Sequence, residues 1–271
     1  VSYDSLKDYA AGLRHAIDTP HPPYQRIGVK RDGEYLQLNA NLLQIENEYY
    51  SYVRPKRTPV ANEKRTTALE ERGIEYVELR SLDLDPWAPA GISEASMLFL
   101  EAYMLQALLE PSPIISPEQQ VEIDDNLVTM ACRGRDTGIT LQRDGDEIAM
   151  VHWAGQLLDR IEAVCELLDT GLSARPYAEA LRVQRVKVED PSATPSARVL
   201  REMRDGNESF YHFALRCSTQ LREQALSVPL TGDELQAMQG QVERSLADQT
   251  ALENGDAESF EEYLRQYFGQ R

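Results

Sequence analysis

The segment that decides how this chain is interpreted reads Ile74-Glu75-Tyr76-Val77-Glu78-Leu79-Arg80-Ser81-Leu82-Asp83. Its alternation predicts a β-strand, because successive residues of a strand point to opposite faces. Tyr76, Glu78 and Arg80 then share one polar face. Along a strand, Glu78 and Arg80 are about 6–7 Å apart, which favours a shared metal–phosphate ligand over a direct ion pair. From the pattern alone, an exposed strand with an incidental charge pair is the alternative.

A second polar strand is predicted upstream, over residues 45–53. Its even-numbered face is polar enough for the wall of a cleft, although an exposed strand face explains the pattern equally well. The residues on that face are Glu46, Glu48, Tyr50, Tyr52 and Arg54. Pro55 is expected to end the strand. Next to a polar cleft, Arg54 and Lys56 are suited to phosphate, Arg54 as a bidentate fork and Lys56 as a point charge; otherwise they are solvated surface.

Two further elements are predicted before these strands. Apolar residues at three- and four-residue spacing indicate a helix over residues 5–17. Asp32-Gly33 lies between two alternating runs, which is a strong signal for a β-hairpin. We therefore expect paired strands over residues 24–30 and 34–40.

Between the two polar strands, residues 58–72 are predicted to form a loop and a short helix. Asn62 or Thr66 is the expected N-cap, and Gly73 the expected end. The first part of the chain, residues 1–90, therefore reads as helix, hairpin, strand, helix and strand. This is an α+β pattern whose strands carry the polar groups.

After Asp85 the pattern becomes helical, so residues 91–271 are expected to form a helix-rich C-terminal region. Ser116 and Pro117 are a typical N-cap and first helical residue. An alternating run within residues 135–144 predicts a small hairpin. The expected helices cover residues 93–109, 116–134, 154–168, 176–189, 196–205, 209–227, 231 to beyond 246, and 259–268.

Composition limits the possible functions. The 271 residues carry a net charge of −17, of which −2 falls on residues 1–90 and −15 on the remainder. Neither part has the basic surface that a nucleic-acid-binding protein needs. No apolar run is long enough to span a membrane. The three separated cysteines, Cys132, Cys165 and Cys217, are expected to be buried, reduced thiols of a cytoplasmic protein, and no zinc-ligand spacing is present.

Three motifs give the chain a resemblance to a known family. They are residues 42–50, residues 53–57 and the segment 73–83, in that order and with a hairpin before them. The chain resembles the proteobacterial glutamate–cysteine ligases, also called γ-glutamylcysteine synthetases. The resemblance extends over the whole chain but implies only the C-terminal half of a family member. The first residue, Val1, stands at an expected helix start, which also suggests a portion of a longer protein.

The resemblance implies a glutamine-synthetase-like antiparallel sheet that lines a cleft. It implies an ATP-dependent ligase that makes γ-glutamylcysteine, the first step of glutathione biosynthesis, through a γ-glutamyl phosphate. ATP is then a co-substrate, and Mg²⁺ the metal ion, with Mn²⁺ as an alternative. The expected partners are glutamate, cysteine and ATP, without nucleic acid or membrane, and the expected oligomeric state is a monomer.

The matching motif positions imply individual roles. Glu78 corresponds to a magnesium ligand, and Arg80 to a contact for the transferring phosphate. Tyr50 corresponds to the acceptor pocket for cysteine, and Arg54 and Lys56 to weaker nucleotide or phosphate contacts. Mg²⁺ prefers hard oxygen ligands, so Glu46 and Glu48 are further candidates. The family places its other ligands before these motifs, so we expect this chain alone to form an incomplete site.

Two other interpretations remain from the residues. An acidic, helix-rich interaction module, or a catalytically incomplete fragment, would explain residues 91–271 without any chemistry, but not the polar strand faces before residue 85. A related carboxylate–amine ligase with a different acceptor would share the motifs. A substrate panel distinguishes this last alternative from the glutamate–cysteine ligase.

Overall fold

A computed structural model describes residues 1–60, 63–255 and 258–269. The chain divides into two compact units, which we call unit 1 (Val1–Leu82 with Leu230–Arg271) and unit 2 (Asp83–Pro229). Helices and small antiparallel sheets together give the expected α+β class. This division differs from the sequence-based boundary at residue 90, because it groups the last two helices with the first unit.

Unit 1 is built around two helices, α1 (Leu6–Asp18) and α3 (Arg65–Arg72). Ser5 caps α1 by accepting a hydrogen bond from the Asp8 amide at 3.0 Å, which satisfies one of the free amides at the helix start. The predicted first helix is therefore confirmed. Tyr9, Leu13 and Leu69 form the buried core between the two helices.

The predicted hairpin is present but much shorter than expected. Its strands are β1 (Lys30–Arg31) and β2 (Glu34–Tyr35), and Asp32 and Gly33 turn the chain with φ of 52° and 90°. The expected strand over residues 24–30 is wrong, because helix α2 (Pro22–Ile27) occupies most of it. Two prolines at the start of α2 favour a helical turn, since their φ is already helical and their missing amides are not needed there.

The predicted strand over residues 45–53 is also wrong. Residues Glu46–Glu48 form one turn of 3₁₀ helix, and β3 begins only at the end of the run, over Val53–Lys56. β3 pairs antiparallel with β4 (Tyr76–Leu79). Pro55 lies inside β3 rather than ending it. Proline is tolerated there because a two-stranded sheet consists only of edge strands.

Unit 2 contains the helices predicted for this part of the chain. They are α4 (Glu94–Leu109), α5 (Pro117–Arg133), α6 (Met150–Leu168), α7 (Pro176–Glu189), α8 (Pro195–Asp205) and α9 (Phe210–Ser227). Ser116 and Gln119 form a reciprocal capping box at the start of α5. A hairpin is present, as β5 (Thr140–Arg143) and β6 (Asp146–Ala149) with an Asp-Gly turn, but its second strand lies beyond the predicted range of residues 135–144.

The core of unit 2 lies between α4, α6 and α7. Its buried members are apolar side chains or a cysteine: Ala102, Leu158, Ile161, Val164, Cys165 and Leu181. Cys165 and Cys217 are buried as predicted, but Cys132 is exposed, so the prediction of three buried thiols is wrong for Cys132. Among the described helices, none is long and apolar enough to cross a membrane.

Two helices at the end of the chain complete unit 1: α10 (Gly232–Gly255) and α11 (Phe260–Gly269). Helix α11 contacts the β1–β2 hairpin through an ion pair between Lys30 and Glu261. The Tyr35 and Phe260 rings also meet edge to face, with centroids 5.1 Å apart. The hairpin is therefore held by a segment more than 200 residues away in the chain.

Candidate active site

The β3–β4 pairing brings two of the three motifs together. Arg54 lies opposite Glu78, and Lys56 lies opposite Tyr76. Directly opposed residues of an antiparallel pair share a face, so the basic residues of β3 stand beside the acidic residue of β4. The site is local to the two strands, although about twenty residues separate them in sequence.

Glu78 is the centre of this face. Its Oε2 atom is 3.2 Å from Nζ of Lys56 and 3.3 Å from Nη1 of Arg80. Lys56, and to a lesser extent Arg80, lowers the pKa of Glu78, which keeps it ionised. The expectation that strand spacing disfavours a direct Glu78–Arg80 ion pair is wrong, because the two long side chains close the gap between their Cα atoms.

Arg80 has a second partner on its other side. Its guanidinium carbon lies 4.3 Å from the centroid of the Tyr50 ring, within the range of a cation–π contact. The Tyr50 side chain, followed by the Glu78 charge, raises the pKa of Arg80. We call the four side chains Lys56, Glu78, Arg80 and Tyr50 the charge row. Tyr50 is its most exposed member, with 72% of its surface accessible.

Arg54 is buried and is not a member of the charge row, although it lies opposite Glu78 in the sheet. Only 5% of its surface is exposed, and its Nε atom has no hydrogen-bond partner among the described residues. Burial raises the pKa of the neighbouring Tyr9 hydroxyl, and the interaction with Arg54 opposes that rise. Lys56 is also largely covered, with 13% of its side chain exposed. Their assignment to nucleotide or phosphate stays a prediction.

Glu46, a candidate metal ligand by sequence, is buried at the start of helix α3. It is 1% exposed, and its carboxylate accepts hydrogen bonds from the Thr66 amide, at 2.9 Å, and from the Thr66 hydroxyl. Helix α3 begins after Lys64, so the prediction of Thr66 as its N-cap is wrong, and Asn62 lies outside the described residues. Glu46 thus supplies the cap of α3 from twenty residues away, a role that no local sequence signal indicates.

The second carboxylate considered for metal binding is also occupied. Glu48 accepts a hydrogen bond from the Gln44 amide at 2.6 Å. Within the part of the chain that the structure describes, no group of three or more histidine, cysteine, aspartate or glutamate side chains could hold a metal ion. Glu78 is the carboxylate of the charge row, and its assignment to a metal ion stays a prediction.

A large cavity lies elsewhere, in unit 2. It has a volume of about 800 Å³ and is formed by residues 83–91, α8 and α9. Most of its lining is apolar, including Val199, Leu200, Phe210 and Phe213. Among the described residues, the lining of this cavity includes no member of the charge row.

The sequence is similar to known proteins over most of its length. Residues 1–130 match the family model for glutamate–cysteine ligase. The chain is 43% identical to a glutamate–cysteine ligase of Azotobacter vinelandii over 98% of its length, and 42% identical to one of Alcanivorax borkumensis over 99%. By sequence, the chain is therefore similar to glutamate–cysteine ligases over almost its whole length. The resemblance carried by the three motifs is confirmed.

One solved structure is also similar over almost the whole chain. A glutamate–cysteine ligase of Francisella tularensis, crystallised in complex with AMP, superposes with a TM-score of 0.90 at 34% identity. It aligns with 99% of this chain and 53% of its own length. A bifunctional glutathione synthetase of Pasteurella multocida shares the fold, with a TM-score of 0.51 at 19% identity. The chain spans about half the length of the curated ligases that it matches.

Proposed function

We propose that this chain forms part of the active site of an ATP-dependent glutamate–cysteine ligase. In this reaction an oxygen of the glutamate γ-carboxylate bonds to the γ-phosphorus of ATP, and ADP leaves. The amine of cysteine then bonds to the acyl carbon, and phosphate leaves with the electron pair of the broken bond. The main support is that all four residues of the charge row lie within the three motifs and contact one another. The chain that carries them is 43% identical to a named ligase.

The protein's contribution to phosphoryl transfer is mainly positioning and charge neutralisation. We assign Arg80 to the transferring phosphate, because a guanidinium can donate two parallel hydrogen bonds to phosphate oxygens. Lys56 is assigned to a more distant phosphate as a point charge, and Arg54 supports this positive field from behind. The AMP found in the Francisella tularensis ligase supports nucleotide binding by this family.

The carboxylate of Glu78 fits a magnesium ion as one ligand of several. Mg²⁺ is usually held by one or two carboxylates together with substrate phosphates, and Mn²⁺ accepts the same oxygen ligands. Glu78 would supply one carboxylate to such an ion, beside its two cationic partners. A bound metal ion would neutralise charge on the phosphates. The remaining ligands must come from residues beyond this row, in agreement with a chain half as long as its relatives.

Tyr50 is assigned to the pocket for the acceptor cysteine. Its exposed ring offers an apolar surface, and its hydroxyl offers one hydrogen-bonding group. We further propose that β3 and β4 belong to a larger, glutamine-synthetase-like sheet. Their exposed apolar residues, Val53 and Val77, are consistent with strands that are covered in a larger protein.

A chimera tests the proposal directly. In it, this chain replaces the matching half of the Azotobacter vinelandii ligase, and ADP release is measured with glutamate, cysteine and Mg²⁺. We expect ADP release that requires both amino acids. Glu78→Gln should reduce turnover by at least about 100-fold, because it removes the charge that holds the metal and Arg80. Glu223→Gln, which changes an exposed glutamate of α9, is the matched control.

Two variants and a substrate panel define the outcome. Arg80→Lys should also lower turnover strongly, since a point charge cannot replace a bidentate fork. Unchanged turnover in Glu78→Gln would remove Glu78 from the metal site, and unchanged turnover in Arg80→Lys would remove Arg80 from the reaction. If other amines replace cysteine equally well, the chain belongs to a ligase with a different acceptor.

A further inference from the structure

We propose that the ring of Tyr50 is a positioning element for Arg80, in addition to the acceptor-binding role of the Tyr50 hydroxyl. The inference rests on the proposed function, because it concerns how Arg80 is presented to phosphate. It makes Tyr50 the residue that connects the acceptor pocket to the phosphate site.

The first support is the geometry of the contact. The guanidinium carbon of Arg80 lies 4.3 Å from the ring centroid of Tyr50. A guanidinium that contacts a ring through its face keeps donors at its edges, and those donors are what a phosphate needs. The ring face can therefore hold Arg80 and leave most of its donors available to the substrate, and the Tyr50 side chain adds a hydrogen bond with Arg80.

The second support is that Glu78 is a shared partner. Its Oε2 atom receives both Lys56, at 3.2 Å, and Arg80, at 3.3 Å. If Glu78 also binds a metal ion, the cation reduces the attraction between Glu78 and Arg80. The Tyr50 ring is uncharged, so its contact with Arg80 persists in that state. Tyr50 thus supplies the contact that holds Arg80 when Glu78 is engaged elsewhere.

The third support is the way the backbone presents Tyr50. The Arg80 amide donates a hydrogen bond to the Tyr52 carbonyl at 2.9 Å, which places residues 50–52 alongside the end of β4. The adjacent Tyr49 ring packs against Tyr9, with centroids 6.1 Å apart. Because Tyr49 is held on the inner side, the next residue, Tyr50, is left on the outer side over Arg80.

Hydrogen bonds from Tyr3 also hold the backbone of residues 51–53 in place. The Tyr3 hydroxyl lies 2.6 Å from the Ser51 hydroxyl and donates a hydrogen bond to the Val53 carbonyl at 2.7 Å. Burial, followed by the interaction with Tyr3, raises the pKa of Tyr49, so Tyr49 stays neutral in this cluster. The exposed Tyr50 ring therefore stands on an anchored backbone rather than on a free loop.

Tyr50→Phe and Tyr50→Leu separate the two roles of this residue. Phenylalanine keeps the ring and removes the hydroxyl, whereas leucine removes both. In the chimera described above, Tyr50→Leu should lower kcat by about twofold to fivefold, the factor expected for an exposed cation–π contact. Tyr50→Phe should restore most of kcat while still raising KM for cysteine. Tyr211→Leu, a tyrosine of unit 2 with 69% exposure, is the control and should change neither constant.

A spectroscopic measurement on the chain itself is independent of turnover. In ¹⁵N-labelled protein, the Nε–H resonance of Arg80, assigned with Arg80→Lys, should show a ring-current shift. This shift should be retained in Tyr50→Phe and lost in Tyr50→Leu. A ring-current shift that is lost in Tyr50→Leu but retained in Tyr50→Phe supports the ring contact in solution.

The outcomes distinguish this inference from the proposed function. A wild-type chimera that binds nucleotide but forms no γ-glutamyl product would contradict the proposed function. An active chimera in which Tyr50→Phe and Tyr50→Leu have the same kcat would overturn the positioning role and leave the ligase assignment intact. An Arg80 resonance that is identical in all three proteins would also overturn it.

Discussion

The two units of this chain differ in the size of the apolar cluster beside their buried ionisable groups. In unit 1 the small apolar core between α1 and α3 adjoins Glu46 and Arg54. In unit 2 a larger cluster of apolar side chains and a cysteine adjoins one buried carboxylate, Asp169, which accepts hydrogen bonds from two amides at the start of α7. Buried polar contacts therefore form a larger part of the core in unit 1 than in unit 2.

This difference shows where the two units can tolerate change. Apolar burial is non-directional and tolerates substitutions that conserve volume. A buried hydrogen bond depends on both partners, and loss of one leaves the other unsatisfied. Unit 1 carries the charge row and requires that kind of precision, since positioned charges act only at defined distances. The apolar cluster of unit 2 has no such requirement.

The largest effect on stability is expected in the core of unit 2. Ile161 is completely buried, so Ile161→Ala should lower the free energy of unfolding by about 2–5 kcal/mol. Both tryptophans of the chain, Trp87 and Trp153, lie in unit 2, and their fluorescence during urea unfolding measures this change. Val151→Ala, at an exposed position of the same helix, is the control with an effect below about 0.5 kcal/mol. Equal effects of the two variants would contradict an apolar core centred on α6.

A smaller loss is expected for the buried carboxylate of unit 1. Glu46→Ala leaves the Thr66 amide and hydroxyl without their acceptor, which should cost about 1–3 kcal/mol. Hydrogen exchange of the amides in α1 and α3 measures it, because unit 1 contains no tryptophan.

The matched control for Glu46 is Glu71→Ala, which removes an exposed carboxylate of α3 and should change stability by less than about 0.5 kcal/mol. Addition of Mg²⁺ should not alter the difference between wild type and Glu46→Ala. A magnesium-dependent stabilisation that disappears in Glu46→Ala would instead identify Glu46 as a metal ligand.

The smallest effect is a pH dependence at the surface of unit 1. Arg72 contacts both carboxylate oxygens of Glu63, at 2.8 and 2.6 Å, and lowers the pKa of Glu63 from 4.5 to about 2. Because the folded pKa is the lower one, this pair stabilises the fold above about pH 4.5, and the stabilisation is lost as the pH falls towards 2. The melting temperature of wild type should therefore exceed that of Glu63→Gln at pH 6, and this difference in melting temperature should be smaller at pH 3. A margin that stays constant with pH would show that the ion pair is not its source.

The helices of unit 2 could be predicted because their signals are local. Ser93, Ser116 and Ser209 each cap a helix at the predicted start, through a hydrogen bond to an amide three residues later. The two Asp-Gly pairs likewise turn the chain with positive φ, which glycine, aspartate and asparagine adopt most readily. Such signals depend only on neighbouring residues, so a sequence contains them completely.

The expected strand over residues 45–53 failed because its alternation had another cause. Glu46 is directed inward to cap α3, and Glu48 is held by the Gln44 amide. These bonds from side chains to the backbone compete with the hydrogen bonds of a strand. The bonds of Glu46 also depend on Thr66, which is distant in sequence. Similarly, Pro55 could not be placed within β3 without knowing that the sheet has only two strands.

By itself, the sequence determined the polar face of the opening segment, the helical nature of residues 91–271 and, through three motifs, the similarity to glutamate–cysteine ligases. Only the tertiary structure decided which of the polar residues act together. It placed Tyr50 on Arg80, Lys56 on Glu78 and Glu46 on Thr66, and it withdrew Arg54 from the surface. The physical reason is that alternation along a strand defines a face, whereas pairing between strands and packing of helices define which charges meet on it.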